Sequence, residues 1–143
     1  MRVARLYGGQ DAADLYQEIA LAIWMALKRF RGDSSLRTFA YRIAHNRGIS
    51  FRARISFEPL DDEPVSAELV EHSVTAEKRK NQLLIAMLEL PDQVRQVISL
   101  ALEGMTYVEI AEIVGITENN VGVVISRGKQ RLTTLISEKE DVR

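Results

Sequence analysis

The chain has no cysteine, which rules out disulfides, thiolate zinc sites and cysteine nucleophiles together. Its two histidines, His45 and His72, are too few for most metal or acid–base constellations. There is no Gly-rich phosphate loop, no His-x-x-x-His pair and no workable Ser-His-Asp set, so no catalytic residue, cofactor or metal site is expected and the chain reads as a non-enzyme. The Asp61-Asp62-Glu63 run reads as a solvated acidic stretch rather than a cation site. No run of ~18 apolar residues offers a membrane span. Met1 leads straight into Arg2 and Arg5 without the apolar stretch of a signal peptide, so the reading is cytoplasmic. Strand signals are also scarce: no lasting period-two alternation and no Asn-Gly or Asp-Gly hairpin. The available chemistry is that of binding, on an all-α fold.

A chain of 143 residues that is 46% hydrophobic buries one modest core or two very small ones. The net charge of −1 conceals a strong asymmetry along the chain. Residues 1–56 hold ten Lys and Arg against four Asp and Glu. Residues 57–76 hold six acidic side chains, Pro59 and Pro64, and no Lys or Arg. Residues 77–143 are nearly balanced, with nine positive and ten negative. Two small helical domains, 1–56 and 77–143, are therefore expected on either side of an acidic linker, 57–76.

Apolar spacing of three and four predicts the helices. A first helix runs from near Gln10 to Phe30, with Leu15, Ile19, Ala22, Ile23, Ala26 and Phe30 as its stripe. Gly32 suits a stop and Ser34 or Ser35 an N-cap, so a second runs from about Leu36 to Arg54, burying Leu36, Phe39, Ala40 and Ile43. Trp24 and Phe39 both fit a core. A third helix, about Thr75 to Glu89, buries Leu83, Leu84, Met87 and Leu88, and Leu90-Pro91 opens a fourth that ends at Glu103-Gly104. Thr106 and Glu109 fit a capping box for a short helix over 106–113. Gly115 then turns the chain, Thr117 caps again, and a long helix carries Val121, Val124, Ile125, Leu132 and Leu135 on one side. Short helix, glycine turn and longer helix make a helix-turn-helix.

In two blocks the residues resemble the extracytoplasmic-function (ECF) group of bacterial RNA polymerase sigma factors. Asp11 through Glu18 and Trp24, then Phe30-Arg31-Gly32-Asp33-Ser34-Ser35-Leu36-Arg37-Thr38-Phe39 and Tyr41-Arg42-Ile43-Ala44-His45-Asn46, look like the domain that binds core polymerase and melts the promoter. Leu90-Pro91, Tyr107 through Thr117, and Ser126-Arg127 look like the minus-35 reader. The resemblance implies promoter-directed transcription initiation, with the core polymerase (largest-subunit clamp and flap), promoter DNA and an anti-sigma factor as partners and no membrane insertion.

On the first helix, Asp14, Gln17, Glu18, Leu21 and Met25 lie roughly opposite the core stripe, mixing acceptors with exposed apolar groups as a docking face does. By resemblance it meets the polymerase clamp. An ordinary solvated face is the plain alternative. From Lys28 to Arg54, eight positive charges meet only Asp33, a density suited to phosphates. Arg37, Tyr41, His45 and Arg52 line one side opposite the buried face, and interleaved aromatic and guanidinium planes stabilise unstacked bases. By resemblance this is the minus-10 surface: Arg31, Asp33 and Ser34 lie in the loop that holds a flipped base, and Arg37, Tyr41, His45, Asn46 and Arg52 contact the strand. A merely basic solvated face is the alternative.

The last helix departs from the family pattern. Its outward residues Asn119, Asn120, Val123, Ser126, Arg127 and Gln130, after the cap Thr117, hold a single cation where relatives carry several, which predicts a feeble minus-35 contact. Only Met1–Gly9 precedes the first block, so a shortened N-terminus with part of the first domain's packing missing is expected. Two other functions compete: a sigma-like protein that occupies polymerase or an anti-sigma factor without initiating, and a stand-alone helix-turn-helix regulator.

Overall fold

The structure is a computed structural model that describes residues 2–57 and 75–141, so the central part of the acidic linker lies outside the described residues. Among the described residues seven α-helices follow one another: α1 (Arg2–Gly8), α2 (Ala12–Leu27), α3 (Leu36–Phe57), α4 (Thr75–Leu88), α5 (Asp92–Leu102), α6 (Tyr107–Val114) and α7 (Glu118–Asp141), with one 3-10 turn at Gly9–Asp11. Among the described residues there is no strand, and no helix is long and apolar enough to cross a membrane. Helices α1–α3 pack together, α4–α7 pack together, and the two units meet where α3 touches α6 and α1 touches α4.

Local chemistry sets most boundaries. Ser35, not Ser34, caps α3: its hydroxyl accepts from the Thr38 N–H at 3.1 Å. Thr106 and Glu109 form the expected capping box at the start of α6, and Gly115 closes that helix in the left-handed region at φ 79°. Pro91 stands at the N-cap of α5 rather than inside it. α2 is shorter than the periodicity predicts, beginning at Ala12 and ending at Leu27 before a turn that carries the chain to Phe30.

Three expectations are corrected. First, Arg2–Gly8, to which no helix was assigned, is a helix, and its Ala4, Leu6 and Tyr7 are buried. About two turns carry too little periodicity to stand out as a helix. Second, Leu36 is 53% exposed, and the fully buried residues of α3 are instead Thr38, Ala44, His45, Gly48 and Phe51. The face is rotated because α1 lies against it: a Cβ built on Gly48 would sit 2.3 Å from Tyr7 Cδ2, so only glycine lets that ring approach. Phe39, Ala40 and Ile43 are half-buried, and Phe39 packs on Phe30 at 4.8 Å between ring centroids. Third, Trp24 is not core but 67% exposed.

The second unit is held by Arg95, which is fully buried. Its guanidinium donates to the carbonyls of Met87 (2.9 Å), Leu88 (2.6 Å) and Leu90 (2.8 Å) and to Asp92 Oδ1 (3.1 Å). It thereby supplies a donor to the Leu88 carbonyl at the end of α4 and to that of Leu90 just beyond it, and adds a second donor at Met87. The same guanidinium lies 5.6 Å from the Tyr7 ring centroid, tying α5 to α1.

Candidate polymerase and nucleic-acid interfaces

α2 buries Leu15 and Ile19 and turns its opposite side outward. Asp14 and Gln17 are exposed, as are Leu21 (59%) and Met25 (61%). Trp24 is exposed as well, and so are Tyr16 and Leu27, so α2 shows more apolar surface to solvent than the spacing argument predicts. Trp24 was legible only as a large apolar residue at helical spacing, a signal shared by core and docking residues alike. Glu18 is engaged: both its carboxylate oxygens accept from Arg54 Nη2, at 3.0 and 2.8 Å, on a partly exposed pair.

The basic residues of α3 and its preceding loop fall into two groups. Arg31, Asp33 and Ser34 line an open, polar hollow of about 260 Å³ with Arg29, Arg42 and Phe39, and Glu112 of the second unit borders it. Asn46 is exposed on the side of α3 nearer α2. The other group, Arg37, Tyr41, His45 and Arg52, makes contacts with the second unit, although Arg37 stays exposed and Arg52 partly so. Arg37 Nη2 donates to the Glu103 carbonyl, and Tyr41 Oη donates to Glu103 Oε2 at 3.1 Å. Arg52 Nε lies 3.8 Å from Asp92 Oδ1. Arg42 Nη2 donates to the Glu112 carbonyl at 3.3 Å, and Arg2 Nη1 to Glu103 Oε1 at 3.0 Å.

His45 is the clearest correction, because it is 1% exposed rather than on an outer face. The Ser99 hydroxyl donates to the Gln96 carbonyl at 3.0 Å, so the long 3.5 Å contact from His45 Nε2 requires an Nε2–H donating to Ser99 Oγ. Nδ1 is then the acceptor for the Tyr7 hydroxyl at 2.8 Å. Burial pushes this imidazole down to about 4, against a weaker upward pull from Glu103. Burial also raises the Tyr7 and Tyr41 hydroxyls, Glu103 adding to the effect at Tyr41, and lowers Arg95, with Arg52 reinforcing it.

On α7 and at its cap all seven candidate residues, Thr117, Asn119, Asn120, Val123, Ser126, Arg127 and Gln130, are exposed, while Val121, Ile125, Gly128, Leu132 and Leu135 are buried. Thr117 Oγ1 accepts from the Asn120 N–H at 3.2 Å as the cap. Gly122 lies beneath Tyr107, where a built Cβ would meet the ring at an ordinary 3.5 Å. Among the described residues no group of His, Asp and Glu is arranged to hold a metal ion.

Comparison with known proteins follows the same division. The family model described as Sigma-70 region 2 matches residues 1–57, and that described as Sigma-70, region 4, matches residues 80–132. The ECF RNA polymerase sigma-E factor of Escherichia coli K12 is 31% identical over 87% of this chain and 72% of its own length. That of Haemophilus influenzae is 26% identical over 94% of this chain and 79% of its own. Two solved structures share the fold. The sigma factor RpoE of Bartonella quintana, co-crystallised with the anti-sigma factor NepR, gives a TM-score of 0.72 at 22% identity over 95% of this chain and 88% of that one. CnrH, solved with the cytosolic domain of CnrY, gives 0.66 at 24% identity over 95% and 79%.

Proposed function

The chain belongs to the ECF RNA polymerase sigma factors, which direct transcription initiation, and from that premise we propose how its two helical units divide the work. Residues 1–56 form the unit that binds core polymerase and handles the minus-10 element, residues 77–143 the unit that reads the minus-35 element, and 57–76 the linker between them. The outward face of α2, with Asp14, Gln17, Glu18, Leu21 and Met25, docks on the clamp of the polymerase's largest subunit, and Trp24 joins it. The exposed Leu21, Trp24 and Met25 carry this reading: three large apolar side chains in water on one helix are stable there but gain free energy when a partner covers them.

The loop residues Arg31, Asp33 and Ser34 receive a flipped base in their polar hollow, and Arg37, Tyr41, Asn46 and Arg52 contact the strand. His45, being buried, positions Tyr7 and Ser99 rather than DNA while the units are together. Thr117, Asn119, Asn120, Val123, Ser126, Arg127 and Gln130 face the minus-35 major groove, where neutral side chains read base edges with few phosphate contacts to support them. The protein works in the cytoplasm, where the polymerase is, and needs no catalytic chemistry of its own. An anti-sigma factor is a further partner, since RpoE of Bartonella quintana was captured with one.

The decisive experiment is transcription by purified core polymerase with and without this chain, using the wild type and the double substitution Leu21→Ala/Met25→Ala. Both side chains are exposed, so the fold is expected to survive, while affinity for core falls about tenfold or more. A wild type that binds core but never starts at a defined site would favour the occupying, non-initiating alternative. Unchanged core affinity in the double variant would refute the assignment of α2.

A further inference from the structure

Where α1 lies against α4 and α5, the packing leaves a cavity of about 330 Å³ that is open to solvent on one side. Its inner lining is apolar: Leu6 and Met87 are almost fully covered, and Leu83 and Leu84 are half-buried. Ser99, a polar residue at the same depth, is already engaged, since its hydroxyl donates to the Gln96 carbonyl and accepts from His45. The exposed residues of the lining, Arg2, Arg5, Lys80 and Leu102, stand at the mouth. Arg2 is paired there with Glu103 at 3.0 Å, whereas no ion pair among the described residues takes up Arg5 or Lys80. The result is an apolar hollow whose mouth is net positive.

We infer that this cavity is a binding site for a free, single-chain fatty acid of medium length. The alkyl chain lies along Leu6, Leu83, Leu84 and Met87, and the carboxylate stays at the mouth, where Arg5 and Lys80 meet it. Complementarity selects this class. A nucleic-acid phosphate would satisfy the cations but leave the apolar lining wet, and a neutral hydrocarbon would cover the lining but leave the cations without a counter-ion. One anion joined to one alkyl chain answers both, and sites for small ligands have this composition of apolar walls with a few charged groups. Volume sets the length: at about 30 Å³ for a water-sized group such as a methylene, the space takes a chain of roughly ten carbons. The apolar face of a partner helix, by contrast, needs a long open groove with anchors at helical spacing. Because α1 belongs to the first unit and α4 and α5 to the second, the bound acid touches both.

The test is isothermal titration calorimetry of the full chain with sodium decanoate, kept below its micelle concentration. One saturable site with a Kd on the order of 0.1 mM is expected. Octanoate should bind about tenfold more weakly, because two fewer methylenes are buried, and acetate should not bind at all. Decyltrimethylammonium, with the same chain and the opposite charge, should also fail. Arg5→Glu/Lys80→Glu reverses the charge at the mouth and should weaken decanoate at least tenfold, whereas Arg5→Lys/Lys80→Arg should stay within about threefold. Leu102→Glu places an anion at the mouth on an exposed position and should weaken it likewise. Lys129→Glu/Arg131→Glu makes the same net charge change on exposed positions of α7, away from the cavity, and should leave affinity within about twofold. Circular dichroism confirms that each variant keeps its helices.

No saturable heat with decanoate overturns the site. Equal binding of decyltrimethylammonium, or an equal loss in the α7 control pair, overturns the part given to Arg5 and Lys80. Undiminished affinity in both Arg5→Glu/Lys80→Glu and Leu102→Glu overturns the location. Co-sedimentation with phosphatidylglycerol vesicles that Arg5→Glu/Lys80→Glu abolishes, without binding of soluble decanoate, would assign the cations to a membrane surface and overturn the proposal as well.

Discussion

The buried His45 makes the stability of this protein depend on pH in a direction that can be worked out. Its imidazole titrates at about 4 in the folded chain, whereas in the unfolded chain it returns to about 6.5. Above the unfolded value neither state holds the proton and the group is silent. As pH falls below about 6.5 the unfolded chain takes up the proton while the folded chain still refuses it, so stability drops until the folded value near 4 is reached. Integrating between about pH 7.5 and pH 5 gives a loss of about 2 kcal/mol from this one residue. The assay is urea denaturation at half-unit pH steps across that range, for the wild type and His45→Gln. Glutamine is uncharged throughout, so the difference between the two stability curves isolates His45 from every carboxylate. The wild type should lose about 2 kcal/mol more than the variant on going to about pH 5. Parallel curves would refute the reasoning, meaning that the ring either reaches water or exchanges its Tyr7 contact for one that welcomes the proton. Because Ser99 of α5 contributes to the enclosure of the ring, the same proton also weighs against contact between the units.

Two further outcomes concern packing. Arg95→Met removes the guanidinium but keeps much of its volume, depriving the Leu88 and Leu90 carbonyls of its bonds and leaving Met87 only the Leu90 N–H. A loss of about 3–5 kcal/mol in urea unfolding is expected, and one below about 1 kcal/mol would show that water or backbone shift replaces it. The two interior glycines should respond with opposite signs. Gly48→Ala drives a Cβ into the Tyr7 ring and should cost about 1–3 kcal/mol despite the better helix propensity of alanine. Gly122→Ala meets Tyr107 at ordinary contact distance and should stabilise by up to about 1 kcal/mol. Thermal melts of the two variants check this, and a stabilising Gly48→Ala would refute the close approach of α1.

Much of this protein was settled by local sequence. The capping box at Thr106 and Glu109, the left-handed turn at Gly115, the buried side of α7 and the exposure of its candidate residues all depend on spacing and cap chemistry within a few residues, which a chain carries whatever surrounds it. The outward face of α2 was legible for the same reason, and the family blocks were contiguous in the chain.

What local patterning could not supply was the choice among chemically equivalent faces. Trp24 and Leu36 are apolar at helical spacing, yet both are exposed; His45 and Tyr41 belong to a polar stripe, yet one is buried and the other half-buried. Which face of α3 is covered depends on α1, whose seven residues carry almost no periodic signal, and on α5, distant in sequence and bearing the Glu103 and Asp92 that answer the stripe's charges. A cationic, aromatic surface is complementary to a DNA backbone and to a set of acidic side chains alike. Sequence alone determined that α3 would bear such a surface; only the tertiary structure decided that the chain's own second unit is what lies against it, because long-range packing brings together charges that spacing along the chain cannot relate.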